Sequence, residues 1–347
     1  MIVVKNKADC CGCTACYSVC PKKAISMQQD QEGFLYPFVE ISKCIDCKLC
    51  DSACPIENKI DSKMFDRKAY VLRAKDVEVV STSTSGGFVT PLGDCFSEIK
   101  KHLMQETKVC FIGTPCQVYG LKSYLRKEYD NLVTVDLVCH GTPSPKLWKK
   151  YLDEQKDKYH SEIDDIVFRN KTYGYHSGTM RIRFKNQFVY YGSARVDPML
   201  KSFFAEISSR PSCYQCHFKS VERCSDFTIY DCWHANNLVE GLVDDDKGFT
   251  NLIVQSSKGE RILDRIADRY ELYATNLEKA IELDGTMICH SAEPHPRRDE
   301  YYLNLDKETL RAHIQKFVPI RIRDYLIEKS KGIFYRMGVY KFLKNKK

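Results

Sequence analysis

The residues in this chain best suited to chemistry are its cysteines, 18 among 347 residues. Eight of them fall in two runs of one form. Cys10, Cys13, Cys16 and Cys20, followed by Pro21, read C-x2-C-x2-C-x3-C-P, and Cys44, Cys47, Cys50 and Cys54, followed by Pro55, repeat the pattern whole. Three thiolates two residues apart wrap one corner of a four-iron cube. The residues between them offer backbone N–H groups to its sulfurs, and the fourth cysteine of such a run ligates the other cluster. The spacing therefore predicts one [4Fe–4S] cluster on Cys10, Cys13, Cys16 and Cys54 and a second on Cys44, Cys47, Cys50 and Cys20. Each proline ends its turn because its ring cannot continue it. Zinc fits less well, since its sites pair two cysteines and then leave a gap before the next pair. Cys11 reads as a neighbour that is not a ligand.

Four more cysteines stand where another site can assemble. Cys116 and Cys139 each end a strand-to-loop step, and Cys213 with Cys216 make a C-x2-C. Loops after successive parallel strands converge on one sheet edge. These four are candidates for a third [4Fe–4S] cluster, with zinc as the lesser alternative and Cys224 as a rival to Cys116 or Cys139. Cys95, Cys110, Cys232 and Cys289 lie in apolar or helical surroundings, where a buried free thiol is the ordinary reading. His140, next to Cys139, is a candidate proton relay, because imidazole is the side chain suited to exchanging protons at physiological pH, set against a purely structural histidine. The hydroxyl-rich stretch ending in Ser85, Gly86 and Gly87 suits a phosphate cradle, set against a flexible loop before a helix.

The elements that must position these residues follow from periodicity. Alternating residues over 21–42 suit a small hairpin between the two runs, and the polar stretch 57–67 reads as a linker. A strand over 69–75, a helix over 88–104, a strand over 109–113, a helix over 117–129, a strand over 132–138 and a helix over 145–156 then alternate. Further strands are expected over 163–168, 179–184, 188–191, 227–230 and 252–255, with helices over 198–207 and 259–269. The fold class is thus an α+β ferredoxin-like two-cluster module followed by an α/β domain with a mostly parallel or mixed sheet. The expected division is 1–60, 61–300 and a basic helical tail over 301–347.

Taken together, the stretches 81–92, 113–121, 136–145, 167–175, 210–233 and 244–254 resemble the coenzyme F420 hydrogenase/dehydrogenase beta subunit family, with a ferredoxin module fused in front. That resemblance implies a flavoprotein with FAD in the larger domain, near the glycine-rich and GTPC loops, and a [4Fe–4S] cluster beside it. Carried over by position, Ser85, Gly86 and Gly87 become candidate flavin contacts. Arg169 and Lys171 become candidates for pairing with phosphate or with an anionic reduced flavin, set against an ordinary surface salt bridge. Cys224, Cys232 and His234 depart from the family pattern, and the fused module and tail resemble the branch found in bacterial surface-polysaccharide gene clusters. The expected function is an iron–sulfur flavoprotein oxidoreductase. It exchanges electrons with a ferredoxin-like donor or acceptor and acts on a small organic substrate through the clusters and FAD. The alternative is a non-catalytic relay or partner-binding subunit for a separate enzyme.

Charge adds little against this reading. Lys and Arg number 53 against 46 Asp and Glu, a net charge of +7. Each [4Fe–4S] cluster with four thiolates brings about −2, so two clusters leave roughly +3. Basic residues are scattered, so no nucleic-acid partner is expected. Cysteines from residue 10 onward argue against a signal peptide, and unpaired thiols argue for the cytoplasm. The tail over 320–347 mixes an apolar face with Lys and Arg. It is a candidate for peripheral contact with the inner membrane surface or, more simply, for docking on protein.

Overall fold

The computed structural model describes residues 1–60, 64–82 and 96–340, which divide into two compact units. The first unit takes Met1–Gly141 and Arg210–Ala292, the second Thr142–Ser209 and Glu293–Lys347. Residues 61–300, expected as one domain, contribute to both.

The two cysteine runs repeat in backbone as well as in sequence. Gly12 and Asp46, two residues after the first cysteine of each run, are left-handed (φ 70° and 49°), and so are Thr14 and Lys48 (φ 64° and 59°). Left-handed backbone costs a residue other than glycine about 1–2 kcal/mol. Each run then enters a short helix, α1 (Ala15–Val19) in the first. The hairpin β1 (Ile25–Gln29) and β2 (Leu35–Val39) follows, with Ile25 opposite Val39, and the second run leads into α2 (Leu49–Ser52).

The chain continues through β3 (Lys68–Ala74), α3 (Val77–Thr82), α4 (Phe96–Met104), β4 (Val109–Gly113), α5 (Pro115–Leu125) and β5 (Leu132–Leu137). In the second unit α6 (Pro145–Tyr159) precedes an antiparallel sheet of β6 (Ile163–Asn170), β7 (Thr179–Phe184) and β8 (Val189–Ser193), then α7 (Pro198–Phe204). Back in the first unit come β9 (Phe227–Cys232), α8 (Ala235–Leu238), β10 (Phe249–Val254), α9 (Ser257–Ile266), β11 (Tyr270–Thr275) and α10 (Leu277–Asp284). The second unit closes with α11 (Arg298–Leu303), α12 (Leu310–Phe317) and α13 (Ile322–Arg336).

The first unit's six strands run in the order β11-β3-β10-β9-β5-β4. Only β4–β5 and β5–β9 are parallel; the other three pairs are antiparallel. The sheet is therefore mixed, the second of the two forms expected for it. An antiparallel neighbour needs no long crossover, and β10 returns beside β9 after one turn of helix and a loop. Strand β11 and helices α10 to α12 were not foreseen as separate elements.

One apolar core joins the cysteine-rich segment to the sheet. Ala15 and Ala53 are buried with Phe96, Ile99 and Leu103 of α4, Phe111 of β4, and Val118 and Leu121 of α5. Helix α5 lies so close that a Cβ on Gly120 would sit 2.9 Å from Cys13 Cβ and 3.1 Å from its sulfur. Only glycine admits that approach.

Candidate iron–sulfur sites

The structure brings together each predicted set of four. Cys10, Cys13, Cys16 and Cys54 line one cavity of about 330 Å³ along with Cys11 and Gly12. Cys20, Cys44, Cys47 and Cys50 line another, beneath Met1. The crossing of the fourth cysteine from each run to the other set follows from the hairpin and the two short helices, which place the runs side by side.

The two sets differ in surroundings. Burial, with Cys13 and Cys10 nearby, pushes the Cys16 thiol up to about 12, and burial also raises Cys10 and Cys54. Backbone N–H groups offset this at the sulfurs: Gly12 at Cys10, Tyr17 at Cys16, and Glu57 and Ile56 at Cys54. In the second set Cys47 is exposed, Ala24 N–H donates to Cys20 Sγ at 3.3 Å, and Ile2 N–H to Cys50 Sγ at 3.4 Å. Burial raises Cys50, and the Asp51 carboxylate beside it adds to the rise.

Cys116, Cys139, Cys213 and Cys216 also meet. Helix α5 starts on Thr114 and Pro115, with the Gln117 side chain accepting from Thr114 N–H at 2.9 Å, so Cys116 falls in its first turn. Cys139 ends the step after β5, and Cys213 and Cys216 enter on the loop before β9. Burial pushes Cys139 up to about 12, and the charges of Cys116, Cys213 and Cys216 add to it. Lys219 Nζ donates to the carbonyls of Cys139 and Met287, both at 2.6 Å, which places a cation beside three of the four sulfurs.

Cys224, the rival ligand, is held elsewhere. It packs on the α4–α5 core near Lys122, Asp136 and Glu128, and burial pushes its thiol up to about 12. Among the described residues no three His, Cys, Asp or Glu side chains close on a single-ion site. Every described cysteine is a free thiol. Cys232 is buried as expected, whereas Cys110 and Cys289 are exposed. Cys110 is the outward-facing residue of β4, an edge strand.

Cys11, which the sequence offers as a neighbour that is not a ligand, and Arg210, which it does not single out, both lie beside the first set. The Cys11 thiol lies between Cys13 and Cys116, and its proximity as a donor is the main cause drawing Cys116 down to about 7. Arg210 is 5% exposed and precedes Cys213 by three residues. Its guanidinium reaches Cys10 Sγ at 3.6 Å. A thiol one residue from a ligand gave Cys11 a faint signal; Arg210 gave none, because its contacts are about 200 residues away in sequence.

The remaining candidates are scattered. His140 is half-buried in the turn after β5, in the first unit. Arg169 and Lys171 belong to the second unit, where both lie over the Tyr175 ring, at 5.5 and 5.9 Å from its centroid. Ser85, Gly86, Gly87 and Cys95 lie outside the described residues.

Comparison with known proteins defines the class first. Residues 9–58 match the model of the 4Fe-4S dicluster domain, and 53 residues are 34% identical to an uncharacterized ferredoxin of Methanocaldococcus jannaschii, covering 15% of this chain and 68% of the relative. The N-terminal segment is thus a ferredoxin-type iron–sulfur domain. The chain as a whole belongs to the coenzyme F420 hydrogenase/dehydrogenase beta subunit family, whose C-terminal model matches residues 106–280. A solved chain of the F420-reducing [NiFe] hydrogenase complex from Methanosarcina barkeri aligns over 74% of this chain and 94% of its own, at 14% identity and a TM-score of 0.37.

Proposed function

We propose that this protein is a ferredoxin-linked iron–sulfur flavoprotein oxidoreductase holding three [4Fe–4S] clusters and one FAD. The observation that carries the reading is the convergence of Cys116, Cys139, Cys213 and Cys216, with Cys11 joining that set to Cys13. When bound, the clusters supply one-electron carriers and the flavin pairs single electrons for two-electron chemistry on an organic substrate. Cys10, Cys13, Cys16 and Cys54 would hold one cluster, Cys20, Cys44, Cys47 and Cys50 the second. The exposed Cys47 end faces a ferredoxin-like donor or acceptor, and the half-buried sets lead inward.

FAD is assigned on the family resemblance, with Ser85, Gly86 and Gly87 as contacts and Arg169 and Lys171 as pairing cations. His140, in the turn that carries Cys139, is the candidate for proton transfer to flavin or substrate. A cytoplasmic location is supported by the free thiols. None of the described helices is long and apolar enough to cross a membrane. Helix α13, with Ile322, Leu326 and Ile333 exposed among Arg and Lys, supports contact with the inner membrane surface.

Anaerobic reduction by a low-potential ferredoxin tests the reading. Bleaching of a bound flavin followed by turnover on a screened oxidant supports the oxidoreductase, and bleaching without turnover on any small molecule identifies a relay subunit. Protein that carries clusters but no extractable flavin contradicts both.

A further inference from the structure

Arg210 is the most unusual charged group in the first unit. It is buried and makes no ion pair with a carboxylate among the described residues. Nε donates to the Cys10 carbonyl at 2.8 Å and Nη2 to the Leu35 carbonyl at 2.9 Å. The guanidinium lies over the Tyr36 ring at 4.1 Å and nearer its centroid than that of Phe34 at 5.5 Å. Gly12 leaves room for it, since a Cβ there would stand 3.0 Å from Nη1. A cation withdrawn from water without an acid partner costs several kcal/mol unless other groups compensate. Among the described residues the sulfur it reaches is that of Cys10, 3.6 Å from Nη2, a group that becomes anionic when it ligates iron.

We propose that Arg210 tunes the cluster held by Cys10, Cys13, Cys16 and Cys54, raising its reduction potential against the burial that lowers it. The inference rests on the cluster reading above. Reduction makes a four-thiolate cube more negative, and low-dielectric surroundings disfavour that added charge. A fixed guanidinium against one ligand sulfur favours it. The second set does not need such a group: Cys47 is exposed, and the charges around Cys50, Asp51 and the N-terminal ammonium at 2.7 Å, are of both signs and open to solvent. Without Arg210 the buried set would be an uphill step for an electron arriving from the exposed one. Arg210 is thus a positioning residue for electron flow, and it also pins the cysteine-rich segment through Cys10 and Leu35.

The test is an EPR-monitored redox titration of the full chain as isolated anaerobically. Wild-type protein that shows no pair of ferredoxin-type signals defeats the cluster reading itself, before Arg210 is touched. Given those signals, Arg210→Gln is expected to move the midpoint of one cluster to more negative potential and leave the other in place. Arg210→Lys, which keeps the charge, is expected to restore most of the shift. If Arg210→Gln loses iron, Gly12→Ala displaces the guanidinium with the charge still in the chain, and the same downward shift is expected, smaller. Full iron content with both midpoints unchanged in Arg210→Gln, or unchanged in Gly12→Ala where Gln does not assemble, overturns the proposal. So does an equal shift of both clusters.

Discussion

The two cysteine sets of the ferredoxin segment share a sequence motif, the same pair of left-handed turns and the same crossed fourth cysteine, yet they sit in opposite surroundings. One packs against α4, α5 and Arg210; the other lies beneath Met1 with Cys47 in solvent. The motif fixes where sulfurs point. What the sulfurs can do depends on residues the motif does not contain: Gly120, Cys11 and Arg210 on the buried side, Asp51 and the chain terminus on the other.

Several substitutions break or sharpen this contrast. The largest effect is expected outside the pair: Cys213→Ser should lose about four irons, whereas Cys224→Ser, packed on the α4–α5 core, should lose none, as iron analysis would show. Next, Cys13→Ser and Cys47→Ser should each cost a cluster. Only Cys13→Ser should also lower Tm markedly, because its sulfur lies against Gly120 in the shared core; equal losses of Tm would mean the two sets are equally independent of the sheet. Gly120→Val forces a side chain onto Cys13 and should cost about 1–3 kcal/mol in urea unfolding, with no counterpart near the second set. The smallest effect is expected from Cys11→Ala: unchanged iron and sulfide, showing that it bridges without ligating. Loss of four irons would make it a ligand.

Much of this was legible in the sequence because it is local. Both sets of four follow from spacing, the strand over 109–113 is found as Val109–Gly113, and that over 179–184 as Thr179–Phe184. The third set was legible only as a convergence rule, and the packing of its rival, Cys224, on the α4–α5 core is a feature that no spacing encodes. The linker over 57–67 suggested a separate bead, but Ala15 and Ala53 share a core with α4 and α5, since a segment this small buries too little apolar surface alone. Arg210 had no local signal because its role depends on Cys10 and Leu35, brought to it by the fold.

The most direct test of the account is the iron and acid-labile sulfide content of protein purified without oxygen. Three four-iron sets predict about twelve of each per chain. About eight irons, or zinc in place of the third set, would contradict the convergence of Cys116, Cys139, Cys213 and Cys216 on a cluster and leave a two-cluster ferredoxin joined to a domain of another kind.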